Sequence, residues 1–252
     1  MLKKIQGIAW NIIELEETVS TNLYLRDRLL EEKLSEYTIV STNFQTSGRG
    51  QKGNSWSSNR GENLLFSILI FPNMIVANEQ FIISQIVALS IRNVLSRITD
   101  GVMVKWPNDI YCNEKKIAGI LIENNLFGKT IESSIIGIGI NINQKIFTTD
   151  LINPVSLFQI TGKEFNRDSI LEEILSEFGM LYDELKQNKR NKIESQYFEN
   201  LYRLHGYHWY NDVNGIFQAK IMNVLPSGYL VLRAIGESVD REYSFKEVQF
   251  VK

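Results

Sequence analysis

Apolar positions along the chain fall into short alternating or continuous runs with the period of β-strands, interrupted by longer stretches at helical spacing. WNIIEL near the start reads as a strand, and the turn-like TVSTN leads into NLYLRDRLLEEK, where Leu25, Leu29 and Leu30 recur at helical spacing. YTIVST is the next strand. It is followed by a long polar, glycine-rich stretch, NFQTSGRGQKGNSWSSNRGEN, and then by the buried-looking strand LLFSILIF. The spacing predicts a helix over NEQFIISQIVALSIRNVLSRI, capped by Asn78, with Gln80, Gln85, Arg92 and Asn93 punctuating its polar side. VMVKW, DIYC, KIAGILIE and SSIIGIGININ are β-rich runs separated by the turn-like NEKK and NLFGK, the pattern of antiparallel hairpins. Asp168 opens a second strong helix, DSILEEILSEFGMLYDELKQ, and NKIESQYFENLYRL is a third helical piece. Beyond Gly206 short strands with turns at PSG and GES predict a small β-barrel of about 45 residues, docked on the larger unit because so small a core is marginal alone. The expected class is α+β: a mixed, largely antiparallel sheet with packed helices over 1–204, and the small barrel over 205–252.

Composition narrows the function. Of 252 residues, 44% are hydrophobic and 22% charged, as in a globular, soluble chain. A net charge of -2 offers no overall basic excess for nucleic acid. Cys112 is the single cysteine, so no internal disulfide forms, and His205 and His208 lie far from it in sequence; a reducing compartment is the simplest reading. Asn11 and Glu14 interrupt any leader-like apolar run at the start, and LLFSILIF is too short to cross a bilayer. The expectation is a cytoplasmic protein with no membrane and no nucleic-acid partner.

Four segments carry candidate chemistry. In QTSGRGQKGNSW three glycines within six residues free the backbone to approach a ligand, with Arg49 and Lys52 beside them; a flexible surface loop would read the same way. Neither the Walker pattern nor the dinucleotide fingerprint is present. VKWPNDIY packs a cation, an aromatic, a proline, an amide and a carboxylate together at a strand end, where Lys105 and Asp109 either pair or meet a ligand. In KIAGILIE, Ala118 and Gly119 after Lys116 let a planar group lie near an ammonium, the alternative being a hairpin lysine in water. GIGININ puts glycines on one strand face, to border a pocket or to admit a crossing helix.

In order and wording, TVSTN, QTSGRGQKGNSW, LLFSILI, VKWPNDIY, KIAGILIE and GIGININ resemble the signature segments of the biotin-protein ligase family, over most of residues 14 to 143. The resemblance implies a class II synthetase-like biotin/lipoate ligase fold with a C-terminal SH3-like barrel. It also implies activation of biotin by ATP and magnesium to biotinoyl-5'-AMP, then transfer to a lysine of a biotin carboxyl carrier protein. Ser20, Thr21, Asn22 and Gln45 are then the counterparts that bind the ureido end of biotin, whose donors and acceptors hydroxyls and amides satisfy. Gly48, Arg49, Gly50, Gln51 and Lys116 complete the biotin side, with Arg49 and Lys116 stabilising charge where carboxylate and α-phosphate meet. Trp56, Lys105, Asn108, Asp109 and Asn141 fall on the nucleotide side, and Asp109 is the candidate for orienting the acceptor amine. Metal ligands are not indicated, and monomer and homodimer are both open. A lipoate-protein ligase shares the fold and chemistry, although KWPND and the GRG loop favour biotin; a non-catalytic adaptor leaves the Arg49, Trp56 and Lys116 segments unexplained.

Two departures matter. The first strand begins about ten residues in, too early for the helix-turn-helix repressor domain some relatives carry, so a ligase without repressor function is expected. Many relatives read GRGR where this chain reads GRGQ, so Gln51 replaces a cation. Lys52 or the loop backbone is expected to compensate: Lys52→Ala should release the adenylate faster in a filter-retention assay, and equal retention would count against this.

Overall fold

Alternation along the central strands gives one sheet two apolar faces, and each face is covered differently. The computed structural model describes residues 1–51, 53–148 and 153–251; Lys52, with the compensating role expected of it, lies outside them. In chain order the strands are β1 (Leu2–Ile5), β2 (Ile8–Leu15), β3 (Thr38–Thr42), β4 (Gly48–Arg49), β5 (Ser55–Trp56), β6 (Leu64–Ile70), β7 (Val102–Lys105), β8 (Asp109–Cys112), β9 (Lys115–Phe127) and β10 (Thr130–Ile140). β11 (His208–Asp212), β12 (Gly215–Val224), β13 (Leu230–Ala234), β14 (Arg241–Tyr243) and β15 (Gln249–Phe250) follow. The helices are α1 (Thr21–Glu31), α2 (Phe81–Ser96), α3 (Leu157–Thr161), α4 (Arg167–Lys186) and α5 (Arg190–Glu199).

Eight strands form the main sheet in the order β1-β2-β3-β6-β10-β9-β8-β7. Only β2 and β3 pair in parallel, with α1 making the crossover between them. On one face Ile39, Phe66, Ile68, Ile136 and Ile138 meet the apolar stripes of α2 and α4, including Ile86, Leu89, Ile174 and Phe178. On the other face Leu25 of α1 packs against Val40, Leu69 and Ile135. That second cluster covers only part of the sheet, and the rest of the face is left for the cavity described below.

The five C-terminal strands form an antiparallel sheet in the order β14-β13-β12-β11-β15. Among the described residues no ladder joins β14 to β15 to close the expected barrel. Its apolar residues Tyr210, Ile221, Leu230 and Leu232 belong to the same buried cluster as α2 and α4. Trp106 Nε1 donates to Gly228 O at 2.8 Å, and Arg203 Nη1 donates to Val251 O at 2.6 Å, so polar contacts fasten the two sheets as well.

Several local expectations change. Asn78 does not cap α2: Ala77–Glu79 form a 3-10 turn and Gln80 stands at the cap without a side-chain bond. α4 starts one residue before Asp168, because Asn166 accepts from Ser169 N at 2.9 Å as its true cap. α5 ends at Glu199, short of the expected Leu204. Missed elements are β1, the two-residue pair β4 and β5 inside the glycine loop, and α3, whose capping box joins Ser156 to Gln159. No described helix is long and apolar enough to cross a membrane.

Phe66 is fully buried in the central strand. Phe66→Ala should lower stability by about 3–5 kcal/mol in urea unfolding; a loss below about 1 kcal/mol would mean the central strand is not packed as described.

Candidate active site

On the face that α1 leaves open, the sheet register lines up residues that lack side chains. Gly139 of β10 stands opposite Gly119 of β9, and Gly119 opposite Asp109 of β8. One row along, Ser67 of β6 faces Gly137, which faces Leu121. With no Cβ at these positions the sheet is lowered into a trough. Asn22 from α1 settles over Gly137, where an added Cβ would meet its Oδ1 at 2.4 Å; the indole of Trp56 settles over Gly139, where a Cβ would meet Cε2 at 2.4 Å. Both readings of the glycine face hold, since a helix end fills one side and a cavity borders the other.

The cavity above this floor has a volume of about 670 Å³, within the range of small-molecule sites. One end is polar. Ser20 occupies the N-cap position of α1, yet its hydroxyl makes no capping bond; Gln45 Oε1 accepts from Thr21 N instead, at 2.8 Å. Ser67 Oγ lies 2.7 Å from Thr21 Oγ1 and donates to Asn22 Oδ1 at 2.6 Å, and Asn22 Nδ2 donates to Glu123 Oε2 at 2.8 Å. Ser20, Thr21, Asn22 and Ser67 are all buried. Backbone bonds from Thr46 N to Thr18 O and from Ser47 N to Val19 O draw the glycine loop against TVSTN, which is why segments far apart in sequence share this end. Gly48 is required there: a Cβ would stand 2.3 Å from Trp56 O across the β4–β5 pair.

The other end carries charge. A β-bulge between Ile110 and Tyr111 leaves Ile117 without an opposite residue and turns Lys116 onto the face of Gly119. Lys116 Nζ sits 2.7 Å from Asp109 Oδ1, an ion pair at the edge of the trough, and 5.7 Å from the Trp56 ring centre. Asp109 therefore meets Lys116 and not Lys105, although Lys105 is its cross-strand neighbour. Lys105 Nζ goes to Tyr111 Oη at 2.9 Å and over the Tyr111 and Phe250 rings; burial holds its pKa below the ordinary lysine value and pushes the Tyr111 phenol above its own. Arg49, from the loop, pairs with Glu123 at 3.0 Å. Asn108 lines the cavity while its amide donates to Ile120 O at 2.8 Å. Trp56 Nε1 and Gln51 Oε1 are buried in the cavity wall with no partner among the described residues, a donor and an acceptor that a bound molecule would satisfy.

The structure thus gathers Ser20, Thr21, Asn22, Gln45, Arg49, Gly50, Gln51, Trp56, Lys105, Asn108, Asp109 and Lys116 around one cavity. Gly48 shapes the loop behind it. Asn141 is not brought in: it is buried, outside the cavity wall, with its amide donating to Val155 O at 3.1 Å. Sequence reasoning missed Ser67 and Glu123, both inside quoted segments; Glu123 has the strand parity of Gly119, which was an available signal, whereas Ser67 meets Gly137 only through the β6–β10 register. It also missed the wall that Phe245, Val248 and Phe250 supply from the C-terminal sheet, for which no local signal exists.

This trough, with an amide and hydroxyl end and a cationic end, coincides with a match of residues 14–141 to the Biotin/lipoate A/B protein ligase family, and the chain belongs to that family. Among its relatives, the bifunctional ligase/repressor BirA of Bacillus spizizenii is 27% identical over 91% of this chain and 71% of its own length. The biotin–protein ligase of Homo sapiens is 28% identical over 74% of this chain and 27% of its own. The biotin protein ligase from Aquifex aeolicus, solved in complex with biotin and ATP, superposes with a TM-score of 0.79 at 26% identity, covering 96% of this chain and 99% of that one.

Gly139→Ala should lift the indole off the floor. Trp56 emission, isolated by subtracting spectra of the Trp56→Phe counterpart, is then expected to shift red and become open to iodide quenching; an unchanged signal would place the indole elsewhere.

Proposed function

We propose that the chain is a biotin-protein ligase that forms biotinoyl-5'-AMP from biotin and ATP and passes the biotinoyl group to a lysine of a biotin carboxyl carrier protein. One observation carries this reading: a single cavity has a neutral polar end, a side-chain-free floor and a paired-cation end, in a chain of this family. Biotin presents the same three chemistries in the same order: a ureido ring, an apolar ring and chain, and a carboxylate.

In this reading the ureido group bonds Ser20, Thr21, Asn22 and Gln45, where unpaired polar groups would be costly. The apolar chain crosses Gly137 and Gly119, and the carboxylate ends beside Arg49 and Lys116. ATP lies toward Trp56, Lys105, Asn108 and Asp109. A carboxylate oxygen attacks the α-phosphorus and the bond to pyrophosphate breaks, while Arg49 and Lys116 oppose the charge that builds between the two anions. The acceptor lysine, having lost its proton, then attacks the acyl carbon, and AMP leaves with the bonding electron pair. Asp109 orients that amine, which requires it to share or exchange its Lys116 partner.

Magnesium enters with the nucleotide in this scheme. Among the described residues no group of three or more His, Cys, Asp or Glu is placed to hold a metal. Residues 1–204 would form the catalytic unit and 205–252 a second unit that closes the nucleotide end; the reaction is assigned to the cytoplasm, in a monomer or homodimer.

Biotin, and not lipoate, should support ATP–pyrophosphate exchange, and a carrier domain incubated with protein, ATP, magnesium and labelled biotin should gain mass on one lysine. Lys116→Ala should lower exchange by at least about 100-fold. Exchange with lipoate alone, or none with either acid, would sink the assignment.

A further inference from the structure

Glu123 bonds one residue from each end of the cavity, Asn22 from the polar end and Arg49 from the charged end. It shares the site face of β9 with Leu121 and Gly119, two and four residues before it, and its side chain is one-third exposed. Its Oε2 accepts from Asn22 Nδ2 at 2.8 Å. The same carboxylate takes Arg49 Nη1, at 3.0 Å from Oε1 and 3.4 Å from Oε2. Through Asn22 it continues the chain Gln45, Thr21, Ser67 that lines the polar end.

We propose that Glu123 is a positioning residue for the adenylation step: it fixes Arg49 on the rim of the cavity and ties that placement to the polar end through Asn22. The proposal rests on the reading above and adds a residue to it. Three features support it. First, among the described residues the glycine loop between Gly48 and Trp56 is held by a two-residue strand pair and two turn bonds, Gly50 N to Asn54 O and Asn54 N to Gln51 O, and backbone so rich in glycine does not place a long side chain by itself. Second, Glu123 grips the guanidinium by Nη1 alone, and among the described residues Nε and Nη2 have no partner, so donors remain for two anions. Third, Glu123 is anchored on the long β9–β10 ladder, so its carboxylate is a fixed point and the loop is the part that moves to it.

A carboxylate beside the catalytic cation also lowers the net attraction for incoming anions. Glu123 as a mere competitor for Arg49 therefore makes the opposite forecast from Glu123 as a positioner, and one variant separates them. Glu123→Gln keeps an acceptor for Asn22 and removes the charge that holds Arg49. With Glu123 as positioner, biotin KM stays within about twofold, since the polar end is intact, while kcat for ATP–pyrophosphate exchange falls about 10-fold, because displacing a catalytic group by about an ångström costs up to about 100-fold. In the unliganded protein, trypsin should nick the chain after Arg49 faster than in the unsubstituted protein, at equal unfolding midpoint.

Unchanged or faster exchange, or a loop no more open to trypsin, would overturn the proposal. If the Gln variant does not fold, Glu123→Asp serves, since it keeps the charge but withdraws it by one methylene; the same fall in kcat and faster nicking are expected, and their absence counts against positioning. Failure of the unsubstituted protein to exchange with biotin would refute the ligase reading itself, while the trypsin comparison would still report on the Arg49–Glu123 tether.

Discussion

Everything at the site depends on the absence of side chains from one patch of a sheet. An ordinary strand face carries a side chain at every second residue, which leaves no room for a ligand flush with the backbone. Gly119, Gly137 and Gly139 remove three of them in adjacent register positions, and the space is reused at once: Asn22 and Trp56 come down to van der Waals distance of the strands. The polar end and the aromatic wall are therefore placed by the same vacancy. A methyl group at Gly137 or Gly139 would push against a buried amide or an indole, so the side chain of Asn22 or Trp56 would have to shift.

Two cations of the cavity wall are held in ion pairs. Arg49 faces Glu123 and Lys116 faces Asp109, all partly exposed. Partly exposed pairs of this kind contribute little to stability. Their value in the proposed reaction would lie elsewhere: each cation is already oriented, and an arriving anion would replace or share a carboxylate partner without having to order a free side chain. Lys105 is different, half-buried against Tyr111 and Phe250 with its charge disfavoured by desolvation, which makes the wall from the C-terminal sheet part of its environment.

That wall also explains the joint between the two sheets. Trp106 bonds Gly228 O with its indole nitrogen, and Phe81 of α2 lies against Gly228, so the turn between β12 and β13 is seated on the segment that carries Lys105, Asn108 and Asp109.

Most strands and helices were readable from the chain alone through local periodicity; the glycine loop, KWPND, KIAGIL and GIGININ segments each left a plain structural alternative open, and only their order together, through the family resemblance, pointed to one site. Element ends were less so: Asn166, not Asp168, caps α4, since capping depends on which side chain reaches the free N–H groups of the first turn. Partnerships across the fold were out of reach. Asp109 has Lys105 opposite it in the hairpin yet pairs with Lys116, because a bulge at Ile117 reverses which face the lysine occupies. Asn141 sits in a motif next to the floor but turns inward to Val155, and Glu123, an unremarked residue in a strand, lands between Asn22 and Arg49. Local sequence carries period and propensity; which charges meet is decided by register, bulges and packing between segments far apart in the chain, as with Lys3 and Glu172, and those are properties of the folded chain.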